Sequence, residues 1–426
     1  MPFPKVTIKT TDETYITQNT QTYNTFYAGF FDRGPENEAT SVSSILDFKV
    51  TFGKPTSENL TEWMQIYNYF AYNNSCIYLT RVIGENSTLA TSKGPAKSLE
   101  SFVGVSAKTK GSWGNGLSVV LSESGNQTIV NVYLNNILVE TTTTENPAGL
   151  ETEYVILNVS HKGQLDYNAK ISLSGGYSEP PTQQQIADAY EDFGSREDLN
   201  LSLILANPEY EYPALKLAET KNAMVFSYSD SVKNVSDKIV YYYGTKKQKN
   251  PFNGKTIEVP ITGDVLGIRS NLMNTEGIGV SHCKRSQSLL NVVAADILNL
   301  EELYNKGINS IGKMDNAYFV NSESTPTGKN ATIQIILNEL TKELASLSNY
   351  FVFEMNDDIT RSDFRKKINA RLENYKDSGY ITAYQSTCDL SNQNSSEPNA
   401  LYIDVAVQMP GIIETIDLRF TAQALS

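Results

Sequence analysis

The 426-residue chain holds two histidines, His161 and His282, and three cysteines, Cys76, Cys283 and Cys388. His282-Cys283 places a base beside a thiol, the pairing that activates a cysteine nucleophile. Consecutive side chains ordinarily point apart, however, and a base must reach the group it deprotonates. A histidine-based metal site would need ligands brought from distant positions, since the two histidines do not sit together. Gly111-Ser112-Trp113-Gly114-Asn115-Gly116 has the glycines of a phosphate-cradling loop but lacks the closing Lys-Ser/Thr and a following helix. Leu173-Ser174-Gly175-Gly176-Tyr177-Ser178 opens a strand-and-helix alternation that invites a dinucleotide site, but it is not G-x-G-x-x-G. Asp357-Asp358 precedes a helix, where carboxylates suit the positive end of the dipole. No catalytic, metal-binding or cofactor-binding residue is expected. The remaining charged feature is a basic run, Arg361, Arg365, Lys366, Lys367, Arg371 and Lys376 against Asp363 and Glu373. The apolar spacing places these bases on the outer helix face, either as a solvated surface or as a contact for an acidic partner.

Positioning such a surface requires folded elements, and the composition allows them. Hydrophobic residues make up 40% and charged residues 19%, a globular balance, and the length implies two or three domains. The net charge of −13 argues against a general nucleic-acid binder. No run reaches the length of a membrane span, and Met1-Pro2-Phe3-Pro4-Lys5 has no apolar region of the signal type. Three widely spaced cysteines imply no disulfide framework and fit a reducing compartment. Tyrosine is abundant, 25 against 2 tryptophans. That fits half-exposed interfaces, or simply an AT-rich coding sequence.

Lys5 to Thr10 alternates like a short strand on a polar tether, Thr11 to Thr25, suited to pairing with another sheet edge or to fraying. Leu60 to Tyr72 has helical spacing of Trp63, Met64, Tyr67 and Phe70, and Cys76 to Ile83 alternates as a strand. Residues 119–174 alternate in strand fashion. From 171 the period changes. Helix at Gln183–Phe193, strand at Leu199–Ala206, helix at Tyr212–Lys221 and strand at Ala223–Tyr228 predict a parallel α/β layer. At the C-terminal end, Ala331–Tyr350 predicts an amphipathic helix and Phe351-Val352-Phe353 a short strand. Thr360 with Asp363 predicts a capping box for a helix lined by Phe364, Ile368, Leu372 and Tyr375. Strands are predicted at Tyr380–Cys388, Leu401–Gln408 and Ile412–Phe420.

The run from Asn349, N-Y-F-V-F-E-M-N-D-D-I-T-R, through D-S-G-Y-I-T-A-Y-Q-S-T-C-D to Phe420 resembles the C-terminal domain of contractile tail sheath proteins of bacteriophages. Earlier features are similar to that family in order and spacing: Gly34-Pro35, Phe52-Gly53, Arg81-Val82, the Trp113-Gly114-Asn115 turn and Leu303 to Asn309. Gly263 to Ser270 resembles its strand-to-helix glycine motif, with Leu266 and Ser270 in place of small residues. Ser281 to Ser286 departs from it. The resemblance implies a multidomain α/β (α+β) protein. It would have a mixed-sheet core built from N- and C-terminal segments, a β-rich insertion and extended terminal arms. The corresponding division is an arm at 1–25, the first part of the core at 26–95, an insertion at 96–170, an α/β domain at 171–330 and a C-terminal core domain at 331–426.

It also implies a structural subunit, not an enzyme and without cofactors. Such a subunit polymerises helically around a tail tube and contracts from a metastable extended state. Its partners would be further copies, the tube protein, and baseplate and terminator proteins, with no nucleic acid or membrane. It would reside in the virion tail after assembly in the host cytoplasm. Strands added to neighbours would come from Val6, Thr7, Ile8 and Lys9 and from Ile413, Glu414, Thr415, Ile416, Asp417, Leu418, Arg419 and Phe420. Tube contact would fall on Arg361, Arg365, Lys366, Lys367 and Arg371. The sheath of a phage-like injection or secretion system is the alternative within this class, and an α/β enzyme using residues 171–230 the alternative outside it.

Overall fold

In the computed structural model, residues 22–72, 76–94, 103–159, 167–284 and 286–412 are described. They form two compact units: residues 23–276 with 281–331, and residues 277–280 with 332–412.

The larger unit opens with β1 (Thr25–Gly29), β2 (Ala39–Val42), α1 (Ile45–Phe52), α2 (Leu60–Tyr72) and β3 (Ile77–Arg81). Ser44 caps α1 by accepting from the Asp47 backbone N–H at 3.1 Å, and Gly53 in a positive-φ conformation ends it. An all-β excursion follows: β4 (Thr91–Gly94), β5 (Val103–Ala107), β6 (Leu117–Ser124), β7 (Gln127–Leu134), β8 (Ile137–Thr144), β9 (Leu150–Glu151), β10 (Val155–Val159) and β11 (Lys170–Ser172). It makes two four-stranded sheets, β4-β5-β10-β9 and β11-β6-β7-β8. Their alternating inward residues, among them Val105, Leu117, Val119, Val130, Val132 and Leu157, share one core. This is the period-2 pattern read from the sequence, with one face buried and one wet.

The chain then returns through α3 (Gln183–Ser195), β12 (Leu203–Ala206), α4 (Glu211–Lys221), β13 (Met224–Tyr228) and β14 (Ile239–Tyr242). Thr182 and Gln185 form a reciprocal capping box at the start of α3. β15 (Thr245–Lys249), β16 (Thr256–Pro260), α5 (Thr262–Thr275), β17 (Ala294–Ala295), α6 (Leu300–Asn305), β18 (Ile308–Asn309), β19 (Ile311–Met314) and β20 (Ala317–Val320) complete the unit.

The central sheet runs β18-β14-β13-β12-β1-β3-β2. All its pairs are parallel except β2 with β3. The predicted parallel layer is therefore present, and its strands come from residues 25–309. The β12, β13 and β14 sequences LILA, MVFSY and IVYY are apolar without alternation because both faces are covered. Phe26, Ala28, Ile204, Ala206 and Val225 pack toward α3 and α4 around Tyr190, Phe193, Ala214 and Leu217. On the other face lie α2 and α5, where the Tyr69 hydroxyl meets Thr25 Oγ1 (3.2 Å) and Ser270 Oγ (2.9 Å).

The smaller unit contains α7 (Ala331–Ser348, its first residue counted with the larger unit), α8 (Asp358–Asp377), β21 (Ala383–Thr387) and β22 (Asp404–Gln408). Phe364, Ile368, Leu372 and Tyr375 line the buried face of α8, as their spacing predicts. Two local expectations are corrected. Phe351-Val352-Phe353 is not a strand: Asn349–Phe351 is a single 3₁₀ turn, and Phe353 has φ +74°. Three apolar residues cannot hold an extended conformation without a neighbouring strand to take their backbone groups. The cap of α8 is Asp357, whose carboxylate accepts from the Thr360 N–H at 2.8 Å, so the helix starts before Thr360 and there is no Thr360–Asp363 box. The strand expected from Ile412 to Phe420 lies, beyond Ile412, outside the described residues, as does the segment Val6 to Lys9.

Candidate assembly site

Apolar periodicity turns one face of α8 inward and leaves the opposite face to carry charge. The five basic residues expected on that outer face separate into three kinds. Arg361 is buried, 7% exposed, and donates to the Asn356 carbonyl at 3.1 Å while pairing with Asp358. That corrects its placement: it shares the face of Phe364 and closes the N-terminal turn. Arg371 pairs with Glu343 of α7 at 3.2 Å and ties the two helices together. Burial pushes the Glu343 carboxyl up, opposed by Arg371. Lys367 pairs with Asp363 at 3.1 Å and lies over the Phe351 ring. Arg365 and Lys366 are exposed, and neither has an ion pair among the described residues. They are the charges that α8 leaves available.

Beside this helix, β21 and β22 form a two-stranded antiparallel sheet. Tyr384 and Ser386 of β21 fasten it to α8, donating to Glu373 (2.7 Å) and to Asn369 (2.5 Å). Among the described residues neither outer edge is paired. Unpaired edges present rows of free N–H and C=O groups, a template for strands from elsewhere.

In the larger unit, three features that stand far apart in sequence meet at one residue. Arg81 ends β3 with its side chain fully buried. Its guanidinium donates to the carbonyls of Phe31 (2.6 Å), Gly34 (3.0 Å), Asp32 (2.8 Å) and Lys110 (2.7 Å). Glu36 lies 3.6 Å away and also accepts from the Lys110 N–H. Burial lowers the Arg81 pKa to about 10, with Glu36 and Asp32 opposing the shift. The Asp32 carboxylate accepts from Ser112 and Ser178 hydroxyls at 2.8 and 2.5 Å. The Gly-Pro turn, the Arg-Val pair and the Trp113 turn are therefore one junction, which fastens the β excursion to the central sheet. Trp113 packs partly buried on the β core with the Arg33 guanidinium over its ring.

His282 and Cys283 do not point as far apart as adjacency suggests: with Glu323 they place donor atoms within 4.8 Å of one another. His282 Nδ1 lies 3.0 Å from Glu323 and its Nε2 contacts the buried Tyr242 hydroxyl, so both ring nitrogens face protein groups. Burial acts to raise the Glu323 carboxyl, but His282 and Arg269 outweigh it and hold it at about 2. Chain spacing gave no sign of this cluster, because Glu323 comes from a separate loop.

The α/β layer has its topological switch point between β1 and β12, where ligands of open α/β sheets bind beyond the carboxyl ends of the strands. Here that crevice is filled. Glu62 accepts from the Phe30 N–H at 2.9 Å, and Asn207 donates to the Tyr27 hydroxyl at 3.0 Å and accepts from Gln65 at 3.1 Å. Removal from solvent raises the Glu62 carboxyl despite the Phe30 N–H and the Tyr27 hydroxyl.

Comparison with known proteins agrees with this architecture. Residues 323–423 match the phage tail sheath C-terminal domain. The tail sheath protein of Vibrio phage KVP40 is 27% identical over 190 residues, 42% of this chain but only 28% of that protein's length. The sheath tail protein Lin1278 of Listeria innocua superposes with a TM-score of 0.70 at 14% identity, covering 93% of both chains. The helical sheath of the anti-feeding prophage in its contracted state gives 0.58 at 13% identity, covering 99% of both. The resemblance read from the sequence is borne out: the chain carries a phage tail sheath C-terminal domain on the fold shared by tail sheath proteins.

Proposed function

We propose that the chain is the structural subunit of a contractile phage tail sheath. It polymerises helically around a tail tube and contracts from a metastable extended lattice to drive the tube through the host envelope. The observation that carries this is a sheath-type C-terminal domain presenting a two-stranded sheet with both edges unpaired among the described residues, next in sequence to residues 413–420. Heterologous contacts that do not close generate filaments. Strands added through main-chain hydrogen bonds can stay linked while subunits turn as rigid bodies. In this reading Val6–Lys9 and Ile413–Phe420 are the added strands, residues 96–170 face outward, and assembly takes place in the host cytoplasm before the tail joins the virion. Baseplate and terminator proteins meet the polymer at its ends. The filled switch-point crevice supports a structural role over an α/β enzyme.

Electron microscopy of the purified protein is expected to show hollow striated tubes. Deleting residues 1–12 is expected to abolish them while leaving a folded monomer by circular dichroism; normal tubes from the deletion would remove the arms from the account. Tube contact is assigned to Arg365 and Lys366, since Arg361, Lys367 and Arg371 are engaged within the chain. Exposed charge contacts are worth up to about 1 kcal/mol each. Arg365→Glu with Lys366→Glu is therefore expected to weaken co-sedimentation with tube protein about tenfold or more, and more so at low salt. Unchanged co-sedimentation would count against it. The fold shared with the anti-feeding prophage sheath keeps an injection-system setting as the second reading, which the neighbouring genes would decide.

A further inference from the structure

The connection between α7 and α8 and the first turn of α8 expose four large apolar side chains within ten residues. Tyr350 is 79% exposed, Phe353 90%, Met355 78% and Ile359 80%. Fully covering them would remove on the order of 500 Å² of side-chain surface from water, the size at which exposed apolar surface marks an interaction site. A second observation is the backbone. Phe353 holds φ +74°, a conformation that a bulky side chain adopts at a cost, and such cost is kept where surrounding structure or function requires it. Phe351, its neighbour, turns inward against Phe364 at 4.7 Å between ring centroids. The chain is thus anchored at Phe351 and turned outward at Phe353. Along α8, Ile359 and Lys367 are about two turns apart and share a face, and Lys367 lies over the Phe351 ring, so the apolar knuckle is rimmed by basic charge.

We propose that this knuckle, residues 350–359, is a docking surface for a second copy of this chain, which rests on the homopolymer reading above. Two considerations choose the occupant. A contact with the tube must be released as the sheath moves, which suits exposed charge pairs of small individual worth. A cluster of aromatic and aliphatic anchors rimmed by charge instead has the composition of a persistent interface core. Charge is also complementary. The chain carries −13 overall, and α3 exposes Asp188 and Asp192 with no basic residue in its length, while its Glu191 pairs with Lys216 at 3.5 Å. A second copy therefore supplies carboxylates for Lys367, which lies over the Phe351 ring at the rim of the knuckle.

The test is the double variant Phe353→Asp, Met355→Asp in the full chain. Both side chains are exposed, so the melting temperature is expected to stay within error of the unmodified protein. The critical concentration for polymerisation, measured by sedimentation, is expected to rise about thirtyfold, as for loss of one interface hot spot. A photo-crosslinking residue at position 353 is expected to yield a dimer of this chain in assembled tails. Unchanged polymerisation, or crosslinks running to tube protein, overturns the knuckle proposal while leaving the sheath reading intact. An unmodified chain that stays monomeric with and without tube protein overturns both.

Discussion

Replacing Arg81 by methionine is expected to destabilise the larger unit by about 3–5 kcal/mol, the range seen when one partner of a buried charged network is removed. The side chain is fully buried and serves four carbonyl oxygens at 2.6–3.0 Å. Methionine would fill much of the volume but remove the guanidinium donor from all four acceptors, of which the Lys110 carbonyl keeps the Trp113 indole N–H at 3.3 Å; each acceptor left unsatisfied costs about 1–3 kcal/mol before relaxation. The Glu36 carboxylate would also lose its nearest buried cation. The melting temperature is expected to fall by about 10 °C. Limited proteolysis should open first in the 31–36 turn and in the 107–116 segment, which the guanidinium holds together. Arg81→Lys is expected to recover only part of the loss, because an ammonium offers three donors without the planar fork. A methionine variant that melts within a degree of the parent would show that the junction is held by something else.

The second large effect is expected at the crossing of α2 and α5. Gly263 and Gly267 lie one turn apart on α5. A Cβ on Gly263 would stand 2.3 Å from the Gln65 carbonyl oxygen, and one on Gly267 would stand 2.6 Å from that of Tyr69. These are backbone atoms of α2 and cannot swing aside. In an isolated helix, glycine to alanine stabilises by about 1 kcal/mol, so the sign of the measured change is diagnostic. Overpacking costs about 1–3 kcal/mol per inserted group and more where backbone must move. Gly263→Ala is therefore expected to lower stability by about 2 kcal/mol net, and Gly263→Leu to prevent folding of the unit. Denaturant titration checks both. A stabilised alanine variant would mean that the two helices do not approach this closely.

α5 also shows where sequence reading runs short. Eleven of its fourteen residues are buried, Asp264, Arg269 and Ser270 among them, so it has no polar face and gives no amphipathic signal. Asp264 is tolerated there because Lys246 reaches it at 2.6 Å and Tyr72 donates to it at 2.6 Å, partners that lie 18 and 192 positions away in the chain. Arg361 is a similar case. Apolar spacing assigned it to the solvent face, but it lies one turn before Phe364 on the buried face and closes the N-terminal turn, which Asp357 caps three residues earlier than the expected Thr360.

Local chemistry in the sequence determined what depends on neighbours along the chain. The unbroken apolar runs of β12 to β14, the alternation of β6 and β7, the Phe364–Tyr375 stripe of α8 and the family resemblance of the C-terminal run were all legible. Each follows from side-chain period or from a contiguous motif. What only the tertiary structure decided are the meetings between distant segments. These are the Gly34, Arg81 and Lys110 convergence, the filling of the β1–β12 crevice by Glu62 and Asn207, and the pairing of Arg371 on α8 with Glu343 on α7. The outward turn of Phe353 belongs with them. The reason is physical: a period reports which face is buried, whereas the partner of a buried charge or the occupant of a crevice depends on which segments the fold brings within hydrogen-bonding distance.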